Sequence, residues 1–325
     1  MAAHATGGHA PRLTRSAQPT VRSATVPPMP ETPDPGDVLA TIGWQAAGEF
    51  TPVTGGWDTY IWRFRTADGR EHALRLHRTS KDPEHVREVA ANEANALRAA
   101  HLARLPAPAI EAEGEFEATP FIVQEWLPGR TMAAAVQAQP WRTWQLGRAF
   151  GRLQARLHSL QPLGLAPFEP SRRLAPVHDA QLRAALEKEL RQDAFCHFDY
   201  HPLNVLVEGG RITGLVDFPN ARLGDRRLDL ARTYVLLVLA PAPPTRLRPI
   251  IGKVRGLLAR AWRSGYEAEA GGFPLEPLFE AAAMAAHLTD LREAVQDGRG
   301  WATDADIRAL ERHLAAKRQA AIGSR

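Results

Sequence analysis

Cysteine and lysine are the scarce residues of this chain. Among 325 residues the one cysteine is Cys196, so no internal disulfide forms and a disulfide-stapled secreted fold is excluded. Long apolar runs are missing as well: the longest, Val235 to Ala242, is less than half of the ~18 residues that a membrane-spanning helix needs. A charge excess of one sign is absent from the body. The net charge is +4, but Arg12, Arg15 and Arg22 fall in the first thirty residues, which hold no acid, and the remainder sets 37 basic against 36 acidic residues. The pI near 9.6 therefore gives little support for a nucleic-acid surface. The basic residues themselves are lopsided, with Lys81, Lys188, Lys253 and Lys317 as the only lysines beside 36 arginines. What remains, 44% hydrophobic and 23% charged, is the composition of a globular protein of about two domains, expected to be soluble and cytoplasmic.

Residues 1–36 are rich in Ala, Pro, Thr, Ser and Gly and bury too little to offset the entropy of ordering, so they are expected to be a disordered tail. Met29 offers an in-frame start just before the ordered sequence. From Phe50 to Val123 the pattern predicts strands around one helix. Tyr60–Phe64 and His72–Leu76 alternate like half-buried strands joined by a turn at Ala67–Arg70, Pro83 opens a helix to about Ala103, and Phe121–Val123 is another strand. Beyond Thr131 helices dominate, with Leu146, Phe150, Leu153 and Leu157 at helical spacing. One β island, Val205–Val207 and Ile212–Val216, is joined through Gly209-Gly210 as a hairpin. The expected division is a β-rich N-terminal lobe over residues 37–127 and a helical C-terminal lobe over 128–325.

The chemistry concentrates in His197-Phe198-Asp199-Tyr200-His201-Pro202-Leu203-Asn204, followed after the hairpin by Asp217-Phe218. His-x-Asp with Asn five residues after the Asp, then a hairpin and Asp-Phe, is the spacing of a kinase catalytic loop and metal-binding segment. Asp199 suits the carboxylate that orients or accepts the proton of a substrate hydroxyl. Asn204 and Asp217 suit hard oxygen ligands for Mg²⁺. A transition-metal site at His197, Asp199 and His201 is the competing reading; Asn204 and Asp217 fit Mg²⁺ better.

These residues, with Leu215-Val216-Asp217-Phe218 and Gly224-Asp225-x-x-Leu228-Asp229-Leu230-Ala231, resemble the aminoglycoside phosphotransferase-like family, the small-molecule branch of the protein-kinase-like fold. The resemblance runs from about Phe50 to the helix after Asp229. It implies an α+β bilobal fold, with ATP and Mg²⁺ as cofactors and GTP left open. Thr54-Gly55-Gly56-Trp57-Asp58-Thr59 resembles the family's nucleotide loop, where Gly55 and Gly56 let backbone N–H groups approach phosphate. The next strand should supply a cation for the nucleotide phosphates. No lysine lies on it, so the residue in register is Arg75, which grips phosphate or carboxylate bidentately. Glu93 falls on the apolar stripe of the following helix with Val86, Ala90 and Leu97, and a buried carboxylate there calls for Arg75 as its partner. Gln124 to Gly129 resembles the hinge, where the main-chain atoms of Glu125 and Leu127 would pair with the purine. Asp229 resembles the acid that holds the catalytic loop. His197 and His201 are read as catalytic-loop scaffold, and His158, Cys196, Trp262, Tyr266, Phe273, Phe279 and Trp301 as core.

The expected reaction is transfer of the γ-phosphoryl group of ATP to a hydroxyl of a small molecule. A nucleotide-binding pseudokinase and a protein serine/threonine kinase are the alternatives. Gly224-Asp225 begins only seven positions after Asp217, too close for a recognisable activation segment. From Thr245 onward 10 acids face 13 Lys and Arg, which does not favour a polycationic substrate. The acceptor is thus an open small hydroxylated molecule, with no nucleic acid or membrane partner and an open oligomeric state.

Overall fold

Asp34 opens the first helix. Its carboxylate accepts the Gly36 N–H at 2.7 Å and Pro35 presets the first turn, giving α1 (Pro35–Ala40). The computed structural model describes residues 32–53, 59–78, 82–160, 164–242, 245–246, 248–297 and 302–323. The Asp34 cap and the first two residues of α1, Pro35 and Gly36, thus fall within the segment 1–36 expected to be a tail; they are ordered because Val38 and Leu39, just beyond it, are fully buried and hold the helix down. The rest of that expectation, residues 1–31, lies outside the described residues.

Five antiparallel strands follow: β1 (Thr51–Pro52), β2 (Thr59–Arg65), β3 (Glu71–His77), then after α2 (Pro83–Leu102) the pair β4 (Ile110–Phe116) and β5 (Thr119–Glu125). Their order in the sheet is β1-β2-β3-β5-β4. Period-2 alternation gives β3 two distinct faces. Leu74 and Leu76 join Trp62, Phe64, Phe121, Val123, Val38 and Leu39 in one buried cluster, while Ala73, Arg75 and His77 point the other way. α2 starts at Pro83 with Asp82 capping the His85 N–H at 3.1 Å. β4 has no counterpart in the sequence reading. Its hairpin to β5 turns through Glu117 and Ala118, both in the left-handed region at φ +50° and +61°, where a reader looks for Gly or Asn.

The remaining chain is mostly helical. It runs β6 (Arg130–Thr131), α3 (Met132–Ala138), α4 (Thr143–His158), α5 (Pro170–Arg173), α6 (Ala180–Glu189), β7 (Ala194–Cys196), β8 (Val205–Glu208), β9 (Arg211–Leu215), β10 (Arg222–Gly224) and α7 (Arg226–Tyr234). α7 continues as a π-helical turn, Val235–Leu239, before α8 (Arg248–Ala270), α9 (Pro277–Gln296) and α10 (Asp304–Ile322). Gly209 and Gly210, at φ +58° and +82°, close the β8–β9 hairpin that the sequence indicates. The architecture is α+β, an antiparallel sheet region followed by a helical region. Among the described residues no helix is long and apolar enough to cross a membrane.

α4 and α8 cross at backbone contact. A Cβ on Gly151 would stand 2.0 Å from the Trp262 carbonyl oxygen, and one on Gly265 2.0 Å from the Arg148 carbonyl oxygen. Trp262 and Tyr266 of α8 are consequently pressed against α4, and with Phe279 they are fully buried core residues. Gly151→Ala is expected to destabilise the protein by roughly 1–3 kcal/mol, since the obstacle is backbone. Gly252→Ala, in an exposed stretch of α8 with nothing within 4 Å, is expected to stabilise it by about 0.5–1 kcal/mol. Urea unfolding of the two variants tests the crossing; equal stabilities would refute it.

Candidate active site

Alternation on β3 aims Arg75 away from the sheet's apolar cluster and towards α2. There the guanidinium is 4% exposed, and one nitrogen, Nη2, lies 3.0 Å from Glu93 Oε1 and 3.0 Å from Asp217 Oδ1. Burial alone would push the Arg75 guanidinium down; the two carboxylates more than reverse this and hold it up. Burial pushes the Glu93 carboxyl up, with Arg75 pulling against it. His77, two residues along the same face, places Nε2 3.6 Å from Glu93 Oε2. Burial, and then the charge of Arg75, push His77 down to about 4, so it is neutral.

The catalytic-loop sequence leaves β7 at Cys196, which is buried, and turns sharply at Phe198, a non-glycine residue at φ +59°. Asp229 holds that turn. Its Oδ1 accepts the Phe198 N–H at 2.5 Å, and its Oδ2 accepts the amide of Gln154 at 2.9 Å and contacts His158 Nε2 at 2.7 Å. His158 Nδ1 reaches the Tyr266 hydroxyl at 2.9 Å, and Trp262 donates to Gln154 Oε1 at 2.7 Å. His158 is thus a polar partner of Asp229 rather than simple core packing. Gln154 and His158 stand four residues apart among the apolar positions of α4, a signal the sequence did offer.

Asp199 follows, partly exposed. Burial pushes its carboxyl up, but the contact with His201 and the nearby positive charge, Arg232 included, outweigh this and hold it down at about 2. His201 Nε2 lies 3.4 Å from Asp199 Oδ2, so this residue, read as scaffold from the sequence, faces the carboxylate. His197 is the buried one. Its Nε2 lies 3.2 Å from the Val216 carbonyl, and burial lowers its pKa. Among the described residues no group of three His, Cys, Asp or Glu is placed to hold a metal ion, so the His197–Asp199–His201 site is not formed.

Asn204 spans the gap. Its Nδ2 donates to the Asp199 carbonyl at 3.0 Å and to Asp199 Oδ2 at 3.1 Å, while its own carbonyl accepts the Val216 N–H at 2.9 Å. The β8–β9 hairpin thereby delivers Asp217 beside the loop, with Asp217 at φ +71° and its side chain 39% exposed. Amide nitrogens spent on Asp199 leave Asn204 Oδ1 and the Asp217 carboxylate as oxygen donors. Among the described residues no cluster of three His, Cys, Asp or Glu holds a metal on its own. One carboxylate plus one amide oxygen fits Mg²⁺ that is completed by phosphate and water.

At the hinge, the Glu125 N–H is taken by the Ala109 carbonyl at 2.9 Å and the Trp126 N–H by the Glu71 carbonyl at 3.1 Å. Beside them Gln124 is 6% exposed, on the Arg75 face of the sheet, with Oε1 unpartnered; the sequence reading did not single it out. Asp225 caps α7 and pairs with Arg227 at 2.8 Å, a structural role. Gly55, Gly56 and Trp301 lie outside the described residues. The structure brings together Arg75, Glu93, Asp199, Asn204 and Asp217, and sets Glu125 and Leu127 at the end of β5.

The profile of the phosphotransferase enzyme family (APH) matches residues 49–271. No curated protein matches the chain. Among solved structures, an amicoumacin kinase in complex with AMP-PNP, Ca²⁺ and Ami is similar at 15% identity and TM-score 0.59, covering 88% of this chain and 94% of that one. A streptomycin-ATP-APH(2")-IIa ternary complex is similar at 15% identity and TM-score 0.51, covering 82% and 92%. A macrolide 2'-phosphotransferase from Brachybacterium faecium matches at 22% identity and TM-score 0.48, covering 86% and 97%. The family match, with the first two of these likenesses for the fold, places the chain among kinase-like phosphotransferases.

The buried neutral state of His77 has a pH consequence. Its pKa is about 4 folded against 6.5 unfolded, so the unfolded chain takes the proton first. Stability is full above the unfolded pKa and is lost as pH falls from 6.5 towards 4. His77→Gln is expected to lose less stability than the parent on going from about pH 7 to about pH 5, by roughly 2 kcal/mol. Unfolding curves at the two pH values check this, and identical losses would refute it.

Proposed function

The chain belongs to the phosphotransferase enzyme family, and from that premise we propose that it transfers the γ-phosphoryl group of ATP to a hydroxyl of a small molecule. The observation that carries the proposal is the single Arg75 nitrogen 3.0 Å from both Glu93 and Asp217, with Asp199 and Asn204 tied to the same cleft edge. Arg75 is aimed at the site by Glu93 and would neutralise nucleotide phosphates without deprotonating. Glu125 and Leu127 would present main-chain groups to the purine, and Gly55 and Gly56 would cover the phosphates. Asn204 and Asp217 would hold Mg²⁺, which supplies charge screening for the phosphates when bound. Residues 37–127 would form the nucleotide lobe and residues 128–325 the catalytic and substrate lobe.

Asp199, held at about 2, is too weak a base to strip an alcohol in the ground state. It orients the hydroxyl and takes its proton late, as the oxygen bonds to phosphorus, which suits a loose phosphoryl-transfer transition state. His201 contacts it at 3.4 Å, and the positive charge of Arg232, itself paired with Asp290 at 3.1 Å, acts on it as well. That setting supports a neutral or anionic hydroxylated acceptor over a polycation. The buried, single Cys196 suits a cytoplasmic location.

Asp199→Asn is expected to lower turnover about 10²–10⁴-fold while leaving nucleotide affinity unchanged. Asp217→Asn keeps a residue tolerant of positive φ, so it is expected to fold and to lose Mg²⁺-dependent nucleotide binding. The measurement is ATP consumption across a panel of hydroxylated compounds, with calorimetric nucleotide binding beside it. Full turnover by Asp199→Asn ends the assignment of Asp199.

A further inference from the structure

Away from the site just described, three guanidinium groups converge where α2, α5 and β10 meet. Arg222 of β10 is 3% exposed and donates from Nη1 to the carbonyls of Pro219 at 2.9 Å and Ala221 at 2.7 Å. Arg173, at the end of α5, donates to Asn220 Oδ1 at 3.2 Å. Among the described residues neither has a carboxylate within ion-pair distance. Arg172 does: it pairs with Glu88 of α2 at 2.9 Å and also contacts His85. Together with Glu88, Glu169 and Pro167 the three arginines wall a narrow cleft at the surface. Three positive groups thus share two carboxylates, one of which is already committed to Arg172.

Burying guanidinium charge without a counter-charge is unfavourable. Burial, and then the like charge of Arg173, lower the pKa of Arg222 to about 10, and burial lowers Arg173 as well, with Arg172 adding to it. We propose that this cleft is a binding site for a phosphate-class oxyanion, held by the forks of Arg173 and Arg222 with Arg172 at its rim. Planar guanidinium forks match tetrahedral oxyanions bidentately, and the two acids limit the occupant to one small oxyanion group.

The site is wired to α2. Asn92, the neighbour of Glu93, donates to the Ala221 carbonyl at 2.7 Å and accepts the Ala166 N–H at 3.3 Å, so it grips both strips of chain that edge the cleft. An anion joining Arg222 and Arg173 to Arg172 braces the same junction from the other side. Its occupation therefore steadies the helix that carries Glu93.

The test uses the full chain and inorganic phosphate against chloride at matched ionic strength. Phosphate is expected to raise the melting temperature and to slow hydrogen exchange of the α2 amides. Arg173→Gln, which is partly exposed and expected to fold, should weaken phosphate binding at least about tenfold, as should Arg222→Gln where it folds. Arg75→Gln, on the nucleotide side, should leave the phosphate effect intact. Glycerol 3-phosphate in place of inorganic phosphate tells a phosphate ester from the free ion as the better occupant. The proposal is overturned if phosphate has no effect on the parent. It is equally overturned if Arg173→Gln binds as the parent does, or if Arg75→Gln alone abolishes binding, which places the ion in the nucleotide cleft.

Discussion

Asp229 is a carboxylate with no solvent exposure, and three other segments of the chain are arranged to satisfy it. A buried unpaired charge costs several kcal/mol, so each hydrogen bond to it is a requirement of folding. The Phe198 N–H, the Gln154 amide and His158 supply those bonds, with Tyr266 and Trp262 fixing the last two. Burial pushes the Asp229 carboxyl up, and these partners bring it below its usual value. The same contacts set the unfavourable φ of Phe198, and that turn presents Asp199 to the cleft. Stability of the helical core and geometry of the catalytic loop are one problem with one solution.

Electrostatics in the cleft follow a similar economy. Arg75 answers two acids from different parts of the chain, Glu93 on α2 and Asp217 after β9. It joins the sheet region to the helical region through charge, while Asn204 joins the catalytic loop to the segment before Asp217 through amide hydrogen bonds. The polar atoms of the site therefore position one another before any ligand arrives, which is the preorganisation that electrostatic catalysis requires.

The parts of this arrangement that were legible in the sequence are those fixed by local spacing. The interval from Asp199 to Asn204 and Asp217, the Gly209-Gly210 turn and the acidic residue on the apolar stripe of α2 all specify geometry within a few residues. Arg75 was legible through absence, since no lysine competes for its place. β4 was hidden because its turn uses Glu117 and Ala118, whose left-handed backbone is imposed by the β4–β5 pairing rather than by intrinsic preference. His158 is core, as read, but its bond to Asp229 was not legible because that partner lies 71 positions away. The convergence of Arg172, Arg173 and Arg222 is likewise tertiary. No interval in the sequence announces that residues some fifty positions apart share a cleft.

An arginine at position 75, where a lysine could have stood, also decides what reagents can detect. Guanidinium stays protonated and is not a nucleophile near neutral pH, whereas a lysine amine at a phosphate site reacts with acylating nucleotide analogues. Lys188, Lys253 and Lys317 all lie in the helical region, far along the chain from β3. Amine-directed profiling, which maps nucleotide sites by tagging such a lysine, has no target in Arg75. Lys81, four positions beyond the end of β3, is the nearest amine along the chain, and arginine-selective dicarbonyl reagents are the ones suited to Arg75 itself.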